Sequence, residues 1–137
     1  MSRSRLLLLG LILVVLSAIV VGYVLRMQAQ KKREGAYQSA LHSYSEVLRP
    51  GMTRKEVEDY LRSKGIEFGP MCCIDERSAF ADLVRIGKES APWFCSEHNV
   101  YVAFQFAAVE LHDNLPSRHD SDTLKRITIF RWLEGCL

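Results

Sequence analysis

Residues 49–68, RPGMTRKEVEDYLRSKGIEF, carry every signal needed to start, bury and stop one short helix, and their position in the chain decides the fold. Pro50 and Gly51 end any helix that precedes them and turn the chain. Thr53 stands as N-cap with Glu56 three residues on, the spacing at which each side chain satisfies a backbone N–H at the other's position. Met52 before the cap and Val57 at the fourth helical position are spaced to pack as a hydrophobic staple. Val57, Tyr60 and Leu61 make one apolar stripe. Gly65 supplies the left-handed residue that closes the helix, and Ile66 then folds back on Leu61 or Tyr60. The pattern predicts a helix over residues 54–64.

Working back from that helix, residues 6–25 read LLLLGLILVVLSAIVVGYVL, with no charge and no proline. The run matches the ~20 residues needed to cross a hydrocarbon core of ~30 Å. It exceeds the ~7 to 15 residues of a secretory h-region, and Met27, Gln28 and Ala29 make a poor cleavage site, so an uncleaved anchor is expected. Ala18 and Gly22 form a small-x-x-x-small pair through which two copies can associate weakly, although such pairs are frequent in apolar runs. Beyond the span, Tyr37, Leu41, Tyr44 and Leu48 fall on one helical face, so the anchor helix is expected to continue outward, with Gly35 as a hinge. The resulting plan is a basic tail (1–5), an anchor (6–25), a basic juxtamembrane linker or helix extension (26–35) and a small α+β domain (36–137).

Charge follows the same division. Six of the 18 basic residues, Arg3, Arg5, Arg26, Lys31, Lys32 and Arg33, flank the apolar run, while all 16 acidic residues lie from Glu34 onward. From Glu34 to the end, twelve basic residues against those sixteen give a net charge of −4. A slightly acidic domain behind a basic collar is not a nucleic-acid binder.

Forward of the helix the sequence reads as sheet. Residues 78–87 (SAFADLVRIG) place Phe80, Val84 and Ile86 on one side, with an amphipathic helix as the competing reading. In residues 99–107 (NVYVAFQFA), Val100, Val102, Phe104 and Phe106 alternate with Tyr101, Ala103 and Gln105. In residues 123–133 (TLKRITIFRWL), Ile127, Ile129 and Leu133 oppose Thr128, Phe130 and Trp132. No crossover helix fits between these runs. The expectation is two helices packed on a three-stranded antiparallel meander.

The order of elements, and Gly51, Met52, Thr53 and Val57 in the form G-M-T-x-x-x-V, resemble the BamE-like (SmpA/OmlA) envelope proteins, whose fold is related to that of the β-lactamase inhibitory proteins. That family is typically lipidated; this chain has an apolar segment in place of a lipidated cysteine. The resemblance implies a non-enzymatic protein-binding module of the bacterial cell envelope.

The chemistry-bearing residues are few. Four cysteines, Cys72, Cys73, Cys95 and Cys136, in a small domain outside the cytoplasm read as a disulfide framework. In an antiparallel pair opposed residue numbers sum to a constant; if Phe106 opposes Lys125, Cys95 opposes Cys136. Alternatively, Cys72 or Cys73 reaches Cys95. The adjacent pair is not a C-x-x-C motif, which disfavours a membrane-tethered thiol-redox factor. His112, Asp113, His119, Asp120 and Asp122, in a polar loop, are legitimate ligand types for a metal-binding sensor, but a solvated loop explains them as well. No G-x-S-x-G, P-loop or paired catalytic carboxylate is present, so no catalytic residue, cofactor or metal is expected. Trp93 and Phe94, after Pro92, are candidates for an interaction surface, as interfaces favour aromatics; such residues more often cover the end of a sheet.

Orientation sets two arguments against each other. Arg26, Lys31, Lys32 and Arg33 outnumber Arg3 and Arg5, and by charge count the domain stays inside. Translocating the tail would carry two arginines across, and a four-cysteine domain belongs in an oxidising compartment. The expectation is a single-pass inner-membrane protein with its domain in the periplasm, contacting the bilayer and another envelope protein.

Overall fold

The computed structural model describes the backbone of residues 3–72, 74, 80–107 and 118–137, with side chains from Leu8 onward. The chain divides into two compact units, Met1–Ala36 and Tyr37–Leu137. The described residues of the first are helical and belong to α1 (Arg3–Val47), which runs through Gly35 without interruption. Its described apolar side chains, Leu8 to Leu25, are all exposed. Among the described residues this is the one helix long and apolar enough to cross a membrane.

The second unit is α+β. It begins with the last turns of α1, continues through α2 (Arg54–Ser63), and ends in the strands β1 (Gly69–Met71), β2 (Ala81–Glu89), β3 (Glu97–Ala107) and β4 (Thr123–Glu134). They form one antiparallel sheet in the order β1-β2-β3-β4. The sheet therefore has four strands where the sequence predicts three. The added strand is a three-residue edge strand containing Pro70, too short for alternation to register, and proline lacks the N–H that an interior strand needs. The second strand starts at Ala81, and residues 78 and 79 of the expected run lie outside the described residues.

α2 forms as its sequence dictates. Thr53 accepts from the Glu56 N–H (3.3 Å) and its own N–H donates to Glu56 Oε2 (2.7 Å), closing the capping box. At the other end Gly65 adopts φ 66°, with Gly65 N–H bonded to Arg62 O (2.9 Å) and Ile66 N–H to Leu61 O (3.0 Å). These two bonds are the Schellman pair.

The core lies between the helices and one sheet face. Leu48, Val57, Leu61, Val84, Val102, Phe104, Phe106 and Leu124 are buried together, with Met52, Leu41, Tyr44 and Ile127 packed around them. Tyr44 meets Phe104 edge to face at 5.4 Å. Higher on the same face the Tyr37 ring lies so close to Gly87 that a Cβ there would sit 2.6 Å from Cε1. The last turns of α1 thus run along the sheet, from the β2–β3 hairpin end (Tyr37) to the opposite end (Leu48). The helix-free face carries a smaller apolar cluster of Ala81, Leu83 and Ala103, with Tyr101 and Phe130 beside it.

Candidate functional site

The two ends of the sheet are built from opposite materials. At the α2 end, the first helical residue, Arg54, is completely buried. Its Nη1 donates to Asp82 Oδ1 (2.9 Å), its Nε and Nη2 to Asp122 Oδ2 (3.3 Å each), and Nη2 also to the Phe80 carbonyl. The guanidinium lies 4.0 Å over the Phe106 ring, a cation–π contact inside the core. The cluster extends outward through Arg118, which pairs with Glu58 and approaches Asp82 at 3.8 Å, and through Arg62, which also pairs with Glu58. Burial pushes the Asp82 carboxyl up to about 6, against the opposing pull of Arg54. Every ionic group here is answered by another. The arrangement joins α2, β2 and the start of β4, with Asp82 Oδ2 and Asp122 Oδ1 buried and meeting no hydrogen-bond donor among the described residues.

At the hairpin end the materials are reversed. The connection from β2 to β3 turns at Pro92, whose carbonyl accepts from Cys95 N–H (3.0 Å). Trp93 stands at the apex, 92% exposed, with Phe94 41% exposed and meeting it edge to face at 5.8 Å. Leu137 lies fully in solvent, and its N–H bonds the Phe94 carbonyl (2.9 Å). Beneath them the Cys95–Cys136 disulfide ties the hairpin to the end of β4, with Cα atoms 3.9 Å apart. Ser96 adds bonds from its N–H and its hydroxyl to the Glu134 carbonyl. Trp93 is therefore no cover for the sheet end, as the commoner reading of its sequence has it. The turn carries it away from the sheet, and the disulfide closes the space below.

Next to this tip, Glu97 and Glu134 stand directly opposite each other across β3 and β4. The buried Asn99 amide donates to both carboxylates (2.9 and 3.0 Å), and Tyr101 donates its hydroxyl to Glu134 (3.0 Å). The Lys88 ammonium, then the Asn99 amide, hold the Glu97 carboxyl below its usual range. Burial, then the bond to Glu134, raises Tyr101 above the usual phenol value.

The side of β4 away from β3 is the third feature. Its first part is covered: Leu124 bonds Met52 and Gly51 through its N–H and carbonyl, and Thr53 bridges Thr123. Side-chain face and amide direction are locked together along a strand, so Ile127, Ile129 and Leu133, on the same face as Leu124, turn their amides to the same outer side. No described segment pairs with them there. Trp132, 44% exposed and stacked on Phe130, and Leu133, 38% exposed, flank this edge.

Of the sequence candidates, Cys95 and Cys136 come together and Trp93 and Phe94 lie on the surface beside them. Cys72 is also disulfide-bonded, while Cys73 lies outside the described residues, and Cys95 is not available to either. Gly51, Met52, Thr53, Glu56, Val57 and Gly65 do structural work around α2. Asp122, offered as a metal ligand, is committed to Arg54; His112 and Asp113 lie outside the described residues, and among those described no group of three or more metal-binding side chains gathers. The β4 edge and the Arg54 cluster were not foreseen. Asp82 held the clue to the second, since alternation puts this carboxylate on the face of Val84, where it needs a cation. Comparison of the chain with protein-family models, curated proteins and solved structures gives no match.

Proposed function

We propose that this protein is a single-pass, membrane-anchored, non-enzymatic interaction module of the bacterial cell envelope, whose domain stands on the periplasmic side of the inner membrane and binds another envelope protein along β4. The reading is supported chiefly by one observation: β4 is the edge strand of the described sheet, and the outward amides of Ile127, Ile129 and Leu133 meet no further described strand, with Trp132 and Leu133 flanking them. An open edge accepts an added strand, with main-chain bonds supplying affinity and the flanking side chains selectivity. The Cys95–Cys136 disulfide favours the oxidising side of the membrane. Cys95 is buried, unlike the accessible sulfur of a redox catalyst, which argues against the thiol-exchange alternative. The BamE-like resemblance agrees with a binding role, although β1 is additional to the three-stranded meander it implied.

The partner in this reading is a different chain. A photoreactive residue at position 132, introduced into the full-length protein in native membranes, should give a discrete heterologous adduct. Ile129→Pro, which removes an outward N–H without touching the β3 ladder, should abolish it. An adduct undiminished by that substitution, or none from any β4 position, refutes the strand-addition reading.

A further inference from the structure

We propose that the tip formed by Trp93, Phe94 and Leu137 docks into the interfacial layer of the same bilayer that holds α1, giving the domain a second, non-covalent attachment to the lipid surface. The inference rests on the membrane-anchored reading above and is independent of the partner on β4.

The first support is composition and rigidity. An indole almost wholly in solvent, a half-exposed phenyl and a fully exposed leucine are costly to leave in water. They are not on a loose loop. The disulfide, the Cys95–Pro92 turn bond, the Leu137–Phe94 bond and the Ser96–Glu134 bonds hold the apex in one shape. Tryptophan is the side chain that settles at the level of lipid headgroups, its ring apolar and its N–H still able to bond water or lipid.

The second support is position within the domain. Tyr37, the first residue of the unit, packs on Gly87 and lies 5.9 Å from the Arg131 guanidinium. Both belong to the hairpin end of the sheet: Gly87 is two residues from the end of β2 and Arg131 three from the end of β4. The tip therefore projects from the end by which the chain enters the domain. The buried-charge cluster and α2 occupy the other end.

The third support is tether length. Only twelve helical steps, with eleven residues between, separate Leu25, the last of the apolar run, from Tyr37. As a helix they rise ~18 Å, and the headgroup layer fills ~5 to 7 Å of that on each side of the hydrocarbon. A tether of that length keeps the domain within reach of the headgroup layer. Arg26, Lys31, Lys32 and Arg33 in the tether attract anionic headgroups and shorten the gap further.

The chain has two tryptophans, Trp93 and Trp132, which makes the test direct. Full-length Trp132→Phe and Trp93→Phe variants, each with one indole, are reconstituted into vesicles of phosphatidylcholine and phosphatidylglycerol. Fluorescence is quenched from the water by iodide and from the membrane by brominated phosphatidylcholine. In the protein alone Trp93 is the more exposed of the two. Docking inverts that rank: Trp93 should resist iodide several-fold better than Trp132, emit further to the blue, and be quenched by the bromolipid. Should Trp132→Phe unfold, subtracting the Trp93→Phe signal from that of the unsubstituted protein isolates Trp93. Iodide quenching in the order of exposure, with no bromolipid effect, overturns the proposal, including the case in which a protein covers the tip in cells. Failure to float with vesicles after an alkaline wash overturns the anchored reading beneath it, and the two failures are distinguishable.

Discussion

The two ends of the sheet invert the usual distribution of residues. At the α2 end an arginine and two aspartates are wholly buried; at the hairpin end a tryptophan and a leucine stand in solvent. Lysine, arginine and acidic residues are almost never fully buried unless paired, and large apolar side chains are normally withdrawn. The buried charges are paired, and the exposed aromatics are locked in place by a covalent bond. The first end is thus a joint, and the second a surface held ready for contact. What separates them is whether the unusual group has a partner inside the molecule.

Removing Arg54 is the largest single perturbation this contrast predicts. Arg54→Met leaves the buried Asp82 and Asp122 without their shared cation, and should cost the domain about 4 kcal/mol, the usual penalty for breaking a buried pair from one side. Trp93→Ala, at the other end, should stay within about 0.5 kcal/mol, as exposed sites do. Chemical denaturation of the full-length protein in mild detergent, followed by near-ultraviolet circular dichroism, compares the two. Equal costs would collapse the distinction between joint and surface.

A smaller effect should appear with pH. The Asp82 carboxyl is pushed from its ordinary 3.8 to about 6 by burial, with Glu58 adding to the rise and Arg54 and Arg118 opposing it. The folded state then holds this proton more tightly than the unfolded chain, so its contribution is present in full below pH ~4 and is lost as pH rises through ~6. A shift of this size is worth up to about 3 kcal/mol. Glu56, Asp59 and Glu97, all lowered, work in the opposite sense at lower pH, so the measurement is a difference. Asp82→Asn has no proton to lose and should gain on the unsubstituted protein between pH 4 and 7. Parallel stability curves would show that the carboxyl is ionised in the fold throughout.

The same contrast explains what the sequence could disclose. β3 and β4 were legible because apolar residues alternate along each, in β4 despite a bulge and only half-buried side chains at Ile127 and Ile129, and α2 because its caps are local in sequence. The disulfide was accessible to register arithmetic. Opposed residues from Glu97–Glu134 to Gln105–Arg126 do sum as expected, while the assumed anchor pair does not form: an extra residue at Lys125 makes Phe106 face Leu124 instead. The Arg54 cluster was hidden because Arg54, Asp82 and Asp122 come from three distant segments, and although alternation sets Asp82 on the buried face, Arg54 and Asp122 each read as solvated in their own. β1 was hidden because three residues containing a glycine and a proline have no period. The exposure of Trp93 depends on a turn whose direction no periodicity encodes.

The smallest loss expected of a structural contact concerns the one element that the sequence specified completely. Thr53→Ala removes the side chain that accepts from Glu56 N–H, and leaves the Glu56 carboxylate with the Thr53 backbone N–H alone. The loss should be about 1 kcal/mol with the fold unchanged, because Arg54 and Lys55 still donate their N–H groups to the Asp122 and Asp120 carbonyls and keep the helix start docked. Gly65→Val should cost more than this. The position has φ 66° and open space around it, so the penalty comes from a β-branched residue in the left-handed region and not from a clash. Thermal melts of the two variants beside an exposed-site control, Glu67→Ala, rank the three. A Thr53→Ala melt that matches the control would mean the pairing of residues 51–53 with β4, and not the cap, fixes where the helix begins. Cap and strand bridge would then have to be treated as one joint, which brings the local element under the same rule as Arg54: it holds by what it meets across the chain.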